Sequence, residues 1–407
     1  MNRRLQFGVV AFSTALVVLL LFGAVHGRTS AADNNPYTQL GVYSEVLSRI
    51  KGDYVEEPDI KAVTLGAING MLESLDPFAS YLNADQYKQY QRAKQAPKAD
   101  VGLLLSRRLG YLGIMDAIPG SPAAKAGLST GDVIESINNV GTRDMPLAFA
   151  EIIMQGEPGT QLEMSVLRLR SQDPQKFVLI RTASVHPPVS SRLITDPSSD
   201  AAGLVGTSTL EGSRVREIAA KIGDLEKQGA KRIILDLRYC AVGSPDEGIA
   251  LANLFMDRGL ITYSQGQKSS RQDYSAAPGR SITKLPLMVL TNRGTAGGAE
   301  IAASALLDAK RAEVVGERTY GNASVRKAVT LEDGSAVILS VAKYYTPAGK
   351  AIQDNGVTPS VPQAEIEAPS GDDDDPDAPD APAAKPADGK PAEDQILKKA
   401  LATKPKQ

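Results

Sequence analysis

Leu290-Thr-Asn-Arg-Gly-Thr-Ala-Gly-Gly-Ala-Glu-Ile301 joins an apolar run, Leu285 to Leu290, to a stretch of helical periodicity, Ala299 to Leu307. The apolar run reads as a buried strand, and the glycines mark a tight passage from strand to helix. The preceding sequence repeats the pattern, with a strand at Arg232 to Leu237 and a helix at Val215 to Gln228. From Val189 to Val361 strands alternate with helices in this way. That alternation predicts an α/β core whose strands are buried on both faces. The Gly294 to Gly298 run lacks the Lys-Ser/Thr of a P-loop and does not fit a dinucleotide fingerprint, so it argues against a phosphate site.

The 407 residues are 42% hydrophobic and 23% charged, with a formal net charge of −2, a composition with room for two or three domains. Scarcity is more informative. There are two histidines (His26 and His186), one cysteine (Cys240) and no tryptophan. These cannot supply a zinc site of several Cys and His, so no metal and no cofactor is expected. A general base, if there is one, is not expected to be histidine. A single cysteine also excludes an internal disulfide. Residues 365–407 hold 11 acidic against 6 basic residues, leaving the first 364 at +3. That surplus is too small, and too dispersed, to suggest nucleic-acid binding.

The ends differ from the middle. Arg3 and Arg4 precede an uncharged run from Phe7 to Ala24, the pattern of an export signal. At 18 residues the run approaches a bilayer span, and Ser30-Ala31-Ala32 is a mediocre cleavage site, so residues 1–30 are expected to act as a retained anchor. The chain is accordingly expected to be exported and inner-membrane-anchored, facing the periplasm or extracytoplasmic space. Residues 364–407 contain 7 of the 25 prolines and the run Asp372 to Asp375, the composition of a disordered acidic tail. Within it, Asp394 to Leu401 has the pattern of a short amphipathic helix. Residues 37–96 read as a helical region, broken by Asp76-Pro77.

Pro119-Gly-Ser-Pro-Ala-Ala-Lys-Ala-Gly-Leu-Ser-Thr-Gly-Asp-Val-Ile134, within residues 100–170, resembles the signature of PDZ domains. The resemblance implies a short helix at Pro122 to Ala126, a strand at Val133 to Ile137 and a groove helix at Met145 to Met154. Val101, Gly102, Leu103 and Leu104 look like the carboxylate-binding loop, where backbone N–H groups meet a peptide terminus and the peptide adds a strand. Such a module can equally serve as a spacer or lid.

Three blocks resemble the carboxy-terminal processing, or tail-specific, proteases: Ile233 to Arg238, Leu290 to Ile301, and Val315 to Val325 with its continuations Leu331 to Ser335 and Ala342 to Gln353. Asp76-Pro77-Phe78-Ala79-Ser80-Tyr81-Leu82 matches the family's N-terminal region, and the resemblance spans about residues 37–363. It implies an α/β core of ClpP/crotonase-like type at 189–363, with an N-terminal helical region and an inserted PDZ domain, a small β-rich α+β module. It also implies Ser/Lys chemistry, in which a hydroxyl attacks the peptide carbonyl and a lysine amine takes its proton. Yet the position of the family's nucleophile is Gly297, the lysine position is Asn322, and the supporting glutamine is Arg326. The Asn-Pro-Gly-Gly of the oxyanion loop is replaced by Cys240-Ala241-Val242-Gly243, leaving Gly243 and Gly298 as its remnant. Asp236, Arg238 and Glu300 remain as scaffold, the first two read as a structural ion pair.

The resemblance therefore implies a catalytically degenerate member that binds protein C-terminal tails or unfolded exported proteins as a scaffold or regulator. An active homologous protease is a possible partner. The rival expectation is an active peptidase with a relocated nucleophile at Thr295, Ser304 or Cys240. For Cys240 the blander reading is a small buried thiol.

Overall fold

The computed structural model describes residues 36–94, 99–108, 110–143, 145–168, 173–183, 188–196, 199–364 and 394–403. The expected anchor, both histidines and the Asp372 to Asp375 run lie outside them. Among the described residues, no helix is long and apolar enough to cross a membrane. The chain divides into two units, one through Ala67 and one from Ile68. The first contains helix α1 (Pro36–Asp53) and the start of α2 (Ile60–Glu73). Asp59 caps α2, its Oδ1 accepting the N–H groups of Lys61 and Ala62 at 2.9 and 3.1 Å.

In the second unit, Asp76 accepts the N–H groups of Phe78 and Ala79, both at 2.8 Å, and turns the chain out of α2. It enters β1 (Ser80–Leu82) and then α3 (Ala84–Ala93), which Asn83 and Gln86 close with a capping box. The 37–96 segment is therefore not purely helical: β1 is an edge strand of a sheet built mainly from residues beyond 260.

A middle module follows, with β2 (Leu103–Arg108), β3 (Tyr111–Ala117), α4 (Pro122–Lys125), β4 (Val133–Ile137), β5 (Val140–Gly141), α5 (Leu147–Met154), β6 (Gln161–Leu167) and β7 (Gln175–Ile180). Its antiparallel sheet runs β2-β3-β4-β6-β7, with β5 beside β4. Leu112, Ile134, Ile137 and Leu162 are fully buried at its centre. Ser121 caps α4, and Pro122 sits where a helix lacks a donor partner anyway. The module extends past residue 170, because β7 completes the sheet against β6.

The remaining elements are β8 (Ser190–Asp196), β9 (Ser199–Gly206), α6 (Arg214–Lys227), β10 (Arg232–Asp236), α7 (Pro245–Asn253), β11 (Leu260–Gln265), β12 (Gln272–Ser275), β13 (Leu287–Thr291), α8 (Gly298–Asp308), β14 (Ala312–Gly316), β15 (Ser324–Thr330), β16 (Ala336–Tyr345), β17 (Val361–Pro362) and α9 (Gln395–Ala402). One sheet runs β17-β14-β13-β10-β9-β8 and is parallel apart from β8. A second comprises β1-β16-β11-β12, with β15 on β16.

Alternation along the parallel strands gives the first sheet two apolar faces. Ile233, Leu235, Leu287 and Val289 join the main core with α6, α7 and α8. Ala202, Ile234, Met288, Leu290 and Val315 form the other face, and Ile396, Leu397 and Ala400 of α9 cover it. The 364–407 segment thus departs from a uniformly disordered tail. Residues 365–393 lie outside the described residues, but α9 buries an apolar stripe and belongs to the core.

Candidate active site

The site forms where β13 turns into α8, against the segment following β10. Asn292 Oδ1 accepts the N–H groups of Gly294 and Tyr239, both at 3.0 Å. Thr295 Oγ1 donates to the Leu237 carbonyl at 2.8 Å and accepts the Asn292 N–H at 3.1 Å. The Ala296 N–H donates to the Cys240 carbonyl at 3.0 Å. These bonds pin the 292–297 turn to Leu237–Gly243.

Gly297 caps α8 with φ 62° and ψ −124°, left-handed backbone that strains any residue bearing a Cβ. A sharp strand-to-helix turn with one strained residue is the geometry of a nucleophile elbow. Here the elbow presents a hydrogen atom. A Cβ at this point would lie 3.4 Å from the Gly243 carbonyl oxygen and 3.9 Å from those of Ala241 and Asn322. Gly297 and Asn322 are therefore neighbours across one corner of the fold.

Glu300 holds that corner together. Its fully buried carboxylate accepts the Gly297 N–H at 3.0 Å, the Asn322 N–H at 2.8 Å, the Gly321 N–H at 2.7 Å and the Thr319 hydroxyl. Burial pushes its carboxyl up to about 7, and the four donors oppose that rise. Asn322 carries an amide, which is no base near neutral pH. Its Oδ1 accepts a hydrogen bond from Arg326 Nη2. The Arg326 guanidinium in turn lies 4.5 Å from the Phe78 ring centroid.

The three alternative nucleophiles are all engaged or enclosed. Thr295 is fully buried and spends its hydroxyl on the Leu237 carbonyl. Ser304 is 1% exposed and donates to the Ile301 carbonyl at 3.0 Å. Cys240 is fully buried, and burial, with the charges of Asp236 and Glu247, raises its thiol far above the usual range. Gly298 follows the elbow, and Gly243 has φ 148° with Leu210 against it, since a Cβ there would meet the Leu210 Cβ at 2.7 Å.

Asp236 and Arg238 pair through Nε–Oδ1 at 2.9 Å and Nη2–Oδ2 at 2.7 Å. Arg238 also reaches Asp394 just ahead of α9.

In the middle module, Val101 and Gly102 are buried, while Leu103 and Leu104 are half-buried in β2. Gly102 has φ +77°, and its N–H donates to the Asp100 carboxylate at 2.9 Å, so an internal carboxylate already uses that donor. Among the described residues, β2 pairs only with β3. The Tyr320 hydroxyl donates to the Leu105 carbonyl of β2 at 2.7 Å, and its ring meets Phe78 edge-on with centroids 5.6 Å apart. Tyr320 follows Thr319 and precedes Asn322 by two residues, so one short segment touches both the corner and the module.

Thr319, Tyr320, Phe78 and Asp394 also shape the site. The first three lie in the family-like motifs, and Asp394 opens the amphipathic run. Spacing alone gave no sign of where their side chains meet.

A two-sheet α/β core with a strand–elbow–helix turn, joined to a small antiparallel module with a one-sided edge strand, defines a peptidase-type fold carrying a peptide-recognition module. Residues 202–363 match the model of Peptidase family S41, and residues 113–168 match that of the PDZ domain. Over 374 residues the chain is 31% identical to the carboxy-terminal processing protease CtpA of Bacillus subtilis (strain 168), covering 90% of this chain and 78% of that one. A carboxyl-terminal-processing protease of Synechocystis sp. is 33% identical over 332 residues, 79% of this chain and 78% of its own. The solved structure of a photosystem II D1 C-terminal processing protease superposes with a TM-score of 0.64 at 30% identity, covering 78% of this chain and 86% of that one. The chain belongs to the carboxy-terminal processing protease family.

Proposed function

We propose that this chain is a non-hydrolytic member of its family, an exported and membrane-anchored pseudoprotease that binds protein C-terminal tails or unfolded segments as a scaffold or regulator. The observation that carries the reading is the elbow itself: Gly297 keeps the strained backbone of a nucleophile turn and brings no atom that can attack a carbonyl. Removing such a nucleophile typically costs on the order of 10⁶ in turnover. The Asn322–Arg326 pair supports the reading further, because it fills the base position with an amide already bonded to a cation. Substrate class follows from kinship: relatives are named for acting at carboxyl termini, and PDZ modules take extended tails along an edge strand. Export rests on the Arg3-Arg4 start and the Phe7 to Ala24 run.

The test is chemical. Purified chain is exposed to a fluorophosphonate probe and to a thiol-directed probe, with Gly297→Ser/Asn322→Lys as positive control. The reading expects no fluorophosphonate labelling of the unaltered chain, thiol labelling of Cys240 only at the slow rate at which a buried thiol is exposed, and slow fluorophosphonate labelling of the double variant at residue 297. Fluorophosphonate labelling of Thr295 or Ser304, or labelling of Cys240 in the unaltered chain faster than that of an exposed thiol, establishes the relocated-nucleophile reading instead.

A further inference from the structure

Arg238 stands at a junction that the family resemblance does not explain. Two of its nitrogens grip Asp236, while Nη1 and Nη2 each donate to Asp394 at 2.8 Å. Asp394 is also the N-cap of α9, its Oδ1 accepting the Leu397 N–H at 2.9 Å. At the far end of α9, Arg232 donates through Nη2 to the Leu401 carbonyl at 2.8 Å and through Nη1 to the Thr403 carbonyl at 3.4 Å. It thereby satisfies carbonyls that a helix end leaves without partners. Between the two arginines, Ile396, Leu397 and Ala400 sit on Ala202, Ile234, Met288, Leu290 and Val315. The groove therefore reads an acidic cap, an apolar stripe and a helix end in sequence, all supplied by residues 394–403.

We propose that this face of the parallel sheet is a docking site for an Asp-capped amphipathic helix, filled by the chain's own residues 394–403, and that its occupancy holds the Leu237–Gly243 segment of the candidate site in place. The coupling runs through adjacent residues. Leu237 accepts the Thr295 hydroxyl, the Tyr239 N–H donates to Asn292, and the Cys240 carbonyl accepts the Ala296 N–H. Arg238, which Asp394 clamps, lies among these three anchors. Asp394 is thus a positioning residue for the elbow's neighbouring segment, whether or not the elbow carries out chemistry.

Cys240, the chain's one cysteine, lies inside that segment and is fully buried, which makes it a built-in reporter. Native full-length chain is labelled with a maleimide, and the rate reports how often the segment opens. Ile396→Asp is expected to raise the rate by roughly tenfold or more and Asp394→Ala by several-fold, with Asp394→Glu restoring protection, as loss of a charge-assisted clamp implies. A synthetic peptide of residues 392–407, added to the Ile396→Asp chain, is expected to slow labelling again. Leu112→Ala, in the core of the middle module, serves as the control for general destabilisation and is expected to leave Cys240 protected. Unchanged labelling in Ile396→Asp, when hydrogen exchange shows the 395–402 amides released, overturns the proposal. So does an equal rise in Leu112→Ala. Should Ile396→Asp fail to fold, Asp394→Ala against Asp394→Glu decides the same question.

Discussion

Glu300 is one carboxylate facing four donors from two parts of the chain, and it sets the distance between Gly297 and Asn322. Glu300→Gln places an NH2 group against N–H donors at one of the two oxygens. The expected cost is about 2–3 kcal/mol, from buried donors left without acceptors, and urea unfolding measures it. Burial raises the folded-state carboxyl to about 7, above its ordinary 4.5. The native state therefore holds this proton more tightly than the unfolded chain does. Its contribution to stability is fully present below about pH 4.5 and is lost as pH rises through 7. Thermal melts from pH 5 to 8 are expected to show that decline in the unaltered chain and a flatter profile in Glu300→Gln. Gly297→Ser is expected to lower stability by about 1–3 kcal/mol, the cost of holding a Cβ at φ 62°. Gly297 and Asn322 were legible in the sequence, since they stand in motifs at fixed spacing. It did not reveal that Glu300 binds the backbone of both, because that contact joins a helix N-terminus to a loop about twenty residues away.

Elements were legible where periodicity and capping agreed. The expected helices and strands between Val215 and Leu307 appear as α6, β10, β13 and α8 at nearly the expected residues, and the Pro119 to Ile134 stretch appears as α4 followed by β4. The short strand β1 was missed: three residues carry no period, and its partner β16 lies over 250 residues away. The amphipathic run at Asp394 was visible as a helix, but not its docking, since the face it covers is assembled from four separate strands. Burial works against ionisation of Asp394, but the bonds and charge of Arg238 and the Leu397 N–H prevail and hold its carboxyl below the usual range. That contribution is present above about pH 4 and is lost as pH falls through the depressed folded value. Protection factors of the α9 amides, corrected for the pH dependence of intrinsic exchange, are expected to fall on acidification within that window. The Tyr320 hydroxyl on the Leu105 carbonyl occupies part of the edge that an incoming tail would extend. Tyr320→Phe removes one neutral hydrogen bond, worth about 0.5–1.5 kcal/mol. Tail-peptide affinity by calorimetry is expected to rise by up to about tenfold, with the melting temperature lowered by about a few degrees.

The second unit is joined by few residues with double duties. Phe78 lies under the Arg326 guanidinium and meets Tyr320 edge-on, Tyr320 reaches β2, and Asp394 ties α9 to the segment beside the elbow. A tail bound along β2 would therefore meet the segment that carries Asn322, which suits a binding protein whose occupancy is felt at the corner. The scarcity of histidine and cysteine is readable at once from composition, and it leaves few groups suited to nucleophilic chemistry. The burial of Thr295, Ser304 and Cys240 could not be read from composition, because it depends on which face each element turns inward. The protein is expected to bind tails without hydrolysing them. The most direct measurement incubates purified full-length chain, at several-fold excess, with a tail-bearing protein substrate and follows the substrate's C-terminus by mass spectrometry. The expected result is an intact C-terminus over many hours alongside measurable binding, with cleavage appearing only in Gly297→Ser/Asn322→Lys. Turnover by the unaltered chain that persists at constant specific activity through successive purification steps contradicts the account.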